Sequence, residues 1–211
     1  MDDPAAYGDC CAEFYDDIYP APPSAALRCL MHLAGDGAVL DAGCGTGRYL
    51  LALAARGIRV HGIEASAAMI AQLRAKPGGG AVGVTHGDFS RVDAPGEYQL
   101  LVCLTNTLAL LPDRDAQARA VQRLARRLAE GGTLLFETSR PDHGETGADI
   151  VLQTRHGPRR YAVALCPVAL VDLDLWTAQA GLAVAARWSD WHGNTWSDDA
   201  GLAVSCYRRR A

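Results

Sequence analysis

Three glycines on alternate positions, Gly43, Gly45 and Gly47, follow directly on Val39, Leu40 and the carboxylate of Asp41. Glycine permits a tight strand-to-helix turn and lets a ligand touch bare backbone, while the helix amino terminus beyond it offers unpaired N–H groups. A dinucleotide fingerprint would need glycine at positions 43, 45 and 48, but residue 48 is Arg48. A carboxylate just before the turn repels a pyrophosphate and suits an ammonium group, directly or through water. The phosphate-loop pattern fails as well, because no Gly-Lys-Ser or Gly-Lys-Thr follows. The turn therefore points to an amino-acid-like ligand rather than a polyphosphate.

Two further acids stand where the next strands end. Glu64 closes the second apolar run, where a doubly wound sheet presents side chains to a ligand across its strand ends, and a carboxylate there can accept from both ribose hydroxyls. Asp88, in His86-Gly87-Asp88-Phe89, offers an acceptor for an adenine amino group beside an apolar face. Three acidic strand ends in succession are poorly explained as solvated turns. Asn106 follows the fourth run, and two readings stand for it: a residue beside the ligand, or a local cap of the turn. Tyr15 and Tyr19 are spaced to share a helical face, either as a cover over a ligand or as the packing side of an amphipathic helix. Among the histidines, His143 and then His192 occupy loops where a base near neutral pH would reach a substrate; solvated loop histidines are the alternative.

Together these residues resemble a class I S-adenosylmethionine-dependent methyltransferase of the bacterial small-molecule type, over about 15–136 and more loosely through the terminal strands. The resemblance implies that Asp41, Gly43, Cys44, Gly45 and Gly47 surround the methionine part of the donor. Glu64 would bind its ribose and Asp88 its adenine amino group, with Ala65, Met69 and Phe89 flanking the base. The segment Leu104-Thr105-Asn106-Thr107-Leu108 is similar to the family's fourth-strand motif, where backbone carbonyls and a polar side chain approach the methyl donor. Tyr15-Asp16-Asp17-Ile18-Tyr19 resembles the Tyr-Asp-x-x-Tyr element that many members place as a lid. Tyr15, Tyr19, Asn106 and His143 form the expected catalytic set, S-adenosylmethionine the expected donor and S-adenosylhomocysteine its product.

The elements that must hold these residues alternate. Strand-like runs at 38–40, 59–63, 81–85, 100–104 and 133–136 are separated by helical stretches through residue 55, at 66–76 and between 113 and 130, where Val121, Leu124, Ala125 and Leu128 repeat at helical spacing. Ser24 is expected to cap a helix over 25–33, and another helix over 12–19 is broken at Pro20. Helix 170–180 and strands 182–188 and 202–207 close the pattern as a terminal antiparallel pair. The implied fold is α/β: a doubly wound, Rossmann-like, seven-stranded and mostly parallel sheet with a terminal antiparallel strand. One domain over 1–211 is expected, with 1–23 as the lid-like segment and 140–168 as an irregular substrate-side insertion.

Composition narrows the partners. The chain has 211 residues, 49% hydrophobic and 21% charged, enough for one well-formed core. A net charge of −4 gives no chain-wide attraction for nucleic acid or anionic membrane. The clusters at Arg155, Arg159 and Arg160, and at Arg208, Arg209 and Arg210, read as solvated surface. Seven cysteines without regular spacing suit reduced thiols and no metal site, and no apolar run reaches the roughly 18 residues of a membrane span. The expectation is a cytoplasmic monomer or homodimer that methylates an amine or hydroxyl of a small molecule in specialised metabolism. A tRNA or protein methyltransferase and a non-catalytic donor-binding module are the alternatives.

Overall fold

The computed structural model describes residues 3–139, 147–154 and 157–209. The glycine turn sits between the first strand, β1 (Val39–Ala42), and helix α4 (Arg48–Ala54), preceded by α1 (Ala6–Cys11), α2 (Tyr15–Ile18) and α3 (Ser24–Ala34). There follow β2 (Val60–Glu64), α5 (Ala67–Ala75), β3 (Gly83–His86), β4 (Tyr98–Cys103), a 3-10 turn at Thr107–Leu110, α6 (Arg114–Arg126) and β5 (Leu128–Ser139). The remainder is β6 (Gly147–Thr154), β7 (Gly157–Ala164), α7 (Leu170–Gln179), β8 (Leu182–Trp188) and β9 (Leu202–Arg209).

Seven strands form one sheet in the order β3-β2-β1-β4-β5-β9-β8. The first five are mutually parallel, β9 runs antiparallel to β5, and β8 antiparallel to β9, which is the expected α/β architecture. Strand alternation divides the core between the two faces. Leu40, Leu101, Leu134 and Phe136 pack with Val121 and Leu124 of α6 and Leu173 and Trp176 of α7. Val39, Leu100, Val102 and Leu135 pack with Leu27 and Leu30 of α3 and Tyr49 and Leu53 of α4. Burial on both faces is why β4 reads as an unbroken apolar run.

Caps mark where helices begin. Ser66 Oγ accepts from Met69 N–H at 3.1 Å and starts α5, as its sequence position implies. Asp113 Oδ1 accepts from Ala116 N–H at 2.7 Å and starts α6. Ser24 is not a cap: extended Pro23 (ψ 135°) takes the flanking position and Ser24 is already helical. Of the helix expected over 12–19 only α2 forms, starting after Phe14, whose ψ of 7° with φ −125° leaves the helical region; the other short helix, α1, lies before this span.

Two other boundaries move. Leu128 keeps the helical spacing of α6, yet the helix ends at Arg126 and Leu128 pairs with Tyr98, so β5 begins earlier than residue 133. Within 140–168 the described residues are not irregular: β6 and β7 form an antiparallel hairpin in register from Gly147–Ala164 to Thr154–Gly157.

Candidate active site

The strand order reverses between β1, which continues to β2 on one side, and β4 on the other; such a switch point leaves a crevice at the carboxyl ends of the strands. The glycine turn stands at this point. Gly43 and Cys44 donate their N–H groups to the carbonyl of Ile63, at 2.8 and 3.0 Å, tying the turn to β2. Gly43 has φ 77°, and a Cβ there would stand 2.2 Å from Thr107 Cγ2, so only glycine fits between β1 and the turn after β4.

Glu64 is buried and fixed by backbone donors, Oε2 accepting from Gly45 N–H and Oε1 from Ser66 N–H, both at 2.8 Å. Burial raises its pKa despite those bonds. Asp41 is 4% exposed and accepts no hydrogen bond among the described residues. Burial first, and the charge of Glu64 second, push Asp41 up to about 7. A buried carboxylate without a partner is costly unless a cationic ligand approaches it.

Gly43, Gly45, Glu64, Ala65, Met69, Asp88 and Phe89 line one cleft of about 560 Å³, closed on its other side by Tyr7, Gly8, Tyr15 and Thr107. Asp88 is oriented by its own turn, Oδ1 accepting from Ser90 N–H at 2.7 Å and Oδ2 from Ser90 Oγ at 2.8 Å. Four residues of the expected donor set stand outside the lining, the buried Asp41 among them. The side chain of Cys44 packs behind the turn with Leu50, Leu73 and Val82, Gly47 (φ 82°) bends the chain into α4, and Leu104 is buried in the core.

A second chamber of about 940 Å³ adjoins the cleft through Tyr7, Tyr15, Thr107 and Leu110, which border both. Tyr19, Thr105, Asn106, Glu137 and Ser139 complete its polar wall. Thr105 and Asn106 have φ of 53° and 58°, the only described non-glycine residues with positive φ. Asn106 does not cap its own turn through its side chain: Oδ1 accepts from Ser139 N–H of β5 at 3.3 Å, and the residue lines the chamber. Tyr15 and Tyr19 stack at 4.8 Å, and burial followed by the Tyr19 neighbour raises the Tyr15 phenol, which stays a neutral donor. His143 lies outside the described residues, and exposed His192 borders neither cavity.

Two functional candidates escaped the sequence reading. Glu137 closes on the fourth-strand turn: Oε2 accepts from Thr105 N–H at 2.7 Å and Oε1 from Trp191 Nε1–H at 3.0 Å. It carries the same mark as Asp41 and Glu64, an acid ending an apolar strand. Arg48 clamps the amino-terminal segment, donating to the Pro20 carbonyl at 2.7 Å, with its guanidinium 5.8 Å from the Tyr19 ring and 4.9 Å from the Tyr49 ring. Asp16 adds to this clamp, accepting from Thr46 Oγ1 at 2.7 Å and pairing with Lys76 at 2.6 Å. Ser66 Oγ donates to Asp9 at 2.5 Å, which seats α1 on α5.

Residues 39–132 match the family model described as a methyltransferase domain, spanning β1 to the start of β5. The solved structure of the CcbJ methyltransferase from Streptomyces caelestis superposes with a TM-score of 0.85, at 27% identity over 99% of this chain and 100% of that one. Residues 39–132 are thus those of a methyltransferase domain, and the whole chain is similar to a solved methyltransferase. Among curated relatives, a cypemycin N-terminal methyltransferase from a Streptomyces species is 30% identical over 67% of this chain. A dTDP-4-amino-2,3,4,6-tetradeoxy-D-glucose N,N-dimethyltransferase from Saccharopolyspora spinosa is 35% identical over 47% of it. This chain spans 59% and 39% of the lengths of these two relatives.

Proposed function

We propose that this protein transfers a methyl group from S-adenosylmethionine to an amine or hydroxyl of a small molecule in specialised metabolism, releasing S-adenosylhomocysteine. The observation that carries the reading is the pair of contiguous cavities. One is walled by the glycine turn, Glu64 and Asp88, the other by Asn106 and Glu137, and Tyr15 and Thr107 border both. The residues fit the donor: Asp41 is a buried carboxylate without a hydrogen-bond donor among the described residues, and Gly43 leaves bare backbone beside it. When bound, S-adenosylmethionine supplies an activated sulfonium methyl for in-line displacement.

The work of the protein is then positioning and exclusion of water. Asp41 would hold the donor's ammonium, the free lone pairs of Glu64 its ribose, and Asp88 its adenine amino group. Ala65, Met69 and Phe89 would cover the base. Tyr15 and Tyr19, held by Arg48, screen the passage between the cavities. No described histidine reaches either cavity lining, and His143, the histidine expected there, lies outside the described residues.

One curated relative is named for methylation at an amino terminus and the other for N,N-dimethylation, which favours an amine acceptor. All seven cysteines are free thiols, which fits a reducing cytoplasm. No helix among the described residues is long and apolar enough to cross a membrane.

The test is to incubate the protein with methyl-labelled S-adenosylmethionine and matched panels of amino sugars, peptides with free amino termini, and their hydroxyl counterparts. Label is expected in the amine fractions. Donor binding with no label in any fraction would replace this reading with that of a binding module.

A further inference from the structure

Glu137 is the one charged side chain among the described residues that line the second chamber. The other polar groups of that wall, Tyr7, Tyr15, Tyr19, Thr105, Asn106, Thr107 and Ser139, are neutral hydroxyl or amide groups. Arg48, which approaches this wall through Thr105 Oγ1 at 3.4 Å, is engaged by the Pro20 carbonyl and the Tyr19 and Tyr49 rings. The chamber therefore holds a negative charge without a cation in its described lining.

The carboxylate is also fixed in place. Thr105 N–H and Trp191 Nε1–H each occupy one lone pair, one on each oxygen. An ionised carboxylate has about four acceptor sites, so about two remain for a ligand. Its anchors are the strained Thr105–Asn106 turn and the indole of Trp191, so its orientation is set before any acceptor arrives.

From this placement we infer that Glu137 is the acceptor-binding residue and selects a cationic amine, holding its N–H groups while the nitrogen faces the cleft of the glycine turn. A neutral hydroxyl satisfies the same oxygens with one hydrogen bond and no charge pairing, which is the weaker contact. An amine loses its extra proton to water before it attacks and still donates N–H to Glu137 afterwards. The contact thus serves both protonation states. The inference rests on the donor occupying the first cleft.

The experiment titrates cyclohexylammonium and its neutral counterpart cyclohexanol into the protein saturated with S-adenosylhomocysteine at pH 7.5, read by saturation-transfer NMR. Cyclohexylammonium is expected to bind at least tenfold more tightly. Glu137→Gln should bring the ratio below threefold while leaving S-adenosylhomocysteine affinity within threefold of the unaltered protein. A ratio near one in the unaltered protein, or a ratio retained in Glu137→Gln, overturns the inference. Should Glu137→Gln lose S-adenosylhomocysteine binding, Glu137→Asp, which withdraws the carboxylate by one methylene, takes its place. It is expected to cut the ratio at least threefold, and an unchanged ratio overturns the inference. Failure of the unaltered protein to bind S-adenosylhomocysteine overturns the donor reading instead, so the two failures are distinct.

Discussion

Asp41 is an acid that folding makes harder to ionise. Its pKa rises from about 3.9 in an unfolded chain to about 7 through burial and the neighbouring Glu64 charge. A raised pKa gives stability that is complete below about pH 4 and lost as pH climbs through 7, since the unfolded chain releases its proton first. Asn mimics the protonated acid at every pH. Asp41→Asn should therefore stabilise the ligand-free protein at pH 7.5 by on the order of a few kcal/mol, read as a higher thermal midpoint, and leave it nearly unchanged at pH 4. Affinity should move the other way: S-adenosylhomocysteine should bind the unaltered protein about tenfold more weakly at pH 6 than at pH 7.5, because Asp41 must first lose its proton. Asp41→Asn should bind weakly at both values. Calorimetry showing pH-independent affinity in the unaltered protein would remove Asp41 from the donor site. Asp41, Glu64 and Asp88 were readable because acids that end apolar strands are conspicuous in the sequence. Glu137 follows Leu134-Leu135-Phe136 in the same manner, but what singles it out, its bonds to Thr105 and Trp191, spans 32 and 54 residues of sequence. Arg48 served in the sequence only to exclude a dinucleotide turn, since its contacts with Pro20 and Tyr19 depend on a segment 28 residues away.

The amino-terminal helices are elements of 6 and 4 residues, too short to persist alone in water. Polar clamps hold them against the glycine turn and α5. The Lys76–Asp16 pair is partly exposed, at 28% and 44%, and is worth at most about 1 kcal/mol by itself. Arg48 combines a carbonyl bond with two ring contacts, a geometry that lysine cannot reproduce with a point charge. Arg48→Lys should loosen the segment around Pro20, seen as faster limited proteolysis between residues 19 and 24. It should also weaken S-adenosylhomocysteine binding about three- to tenfold, chiefly through faster release. Unchanged proteolysis would show that α2 is held by other contacts. The sheet strands and α5, α6 and α7 were foreseeable because each shows apolar periodicity or a cap. The β6–β7 hairpin was not: its ends are joined through Arg155 and His156, without the Asn-Gly or Asp-Gly pair that announces a tight hairpin. The overrun of α6 has a similar cause, since Leu128 continues the helical spacing although it already pairs as a strand residue with Tyr98.

Across the whole molecule, the proposed donor cleft joins parts of the chain that the sheet alone does not connect. The glycine turn, Glu64 and Asp88 come from the ends of β1, β2 and β3, while Tyr7, Gly8 and Tyr15 come from α1 and α2. A ligand in that cleft contacts both sets, so its binding energy should appear in the short helices as well as in the sheet. α7 and β8 lie at the far end of the strand order and share no lining with the cleft. At a concentration 100 times its Kd, S-adenosylhomocysteine adds about 2.7 kcal/mol of stability, which for a chain of this size raises Tm by about 5–10 °C. Hydrogen exchange separates where that stability is felt, because amides that exchange through local opening report local ligand contacts. Saturation should slow exchange at least tenfold in residues 6–19 and 43–47, whose amides border the cleft or its clamp. The exposed amides of α7 should keep their rates within twofold. If residues 6–19 exchange equally fast with and without S-adenosylhomocysteine, the amino-terminal helices pack on the sheet without closing over the donor. Protection there alongside unchanged α7 rates would show that they form the donor's outer wall.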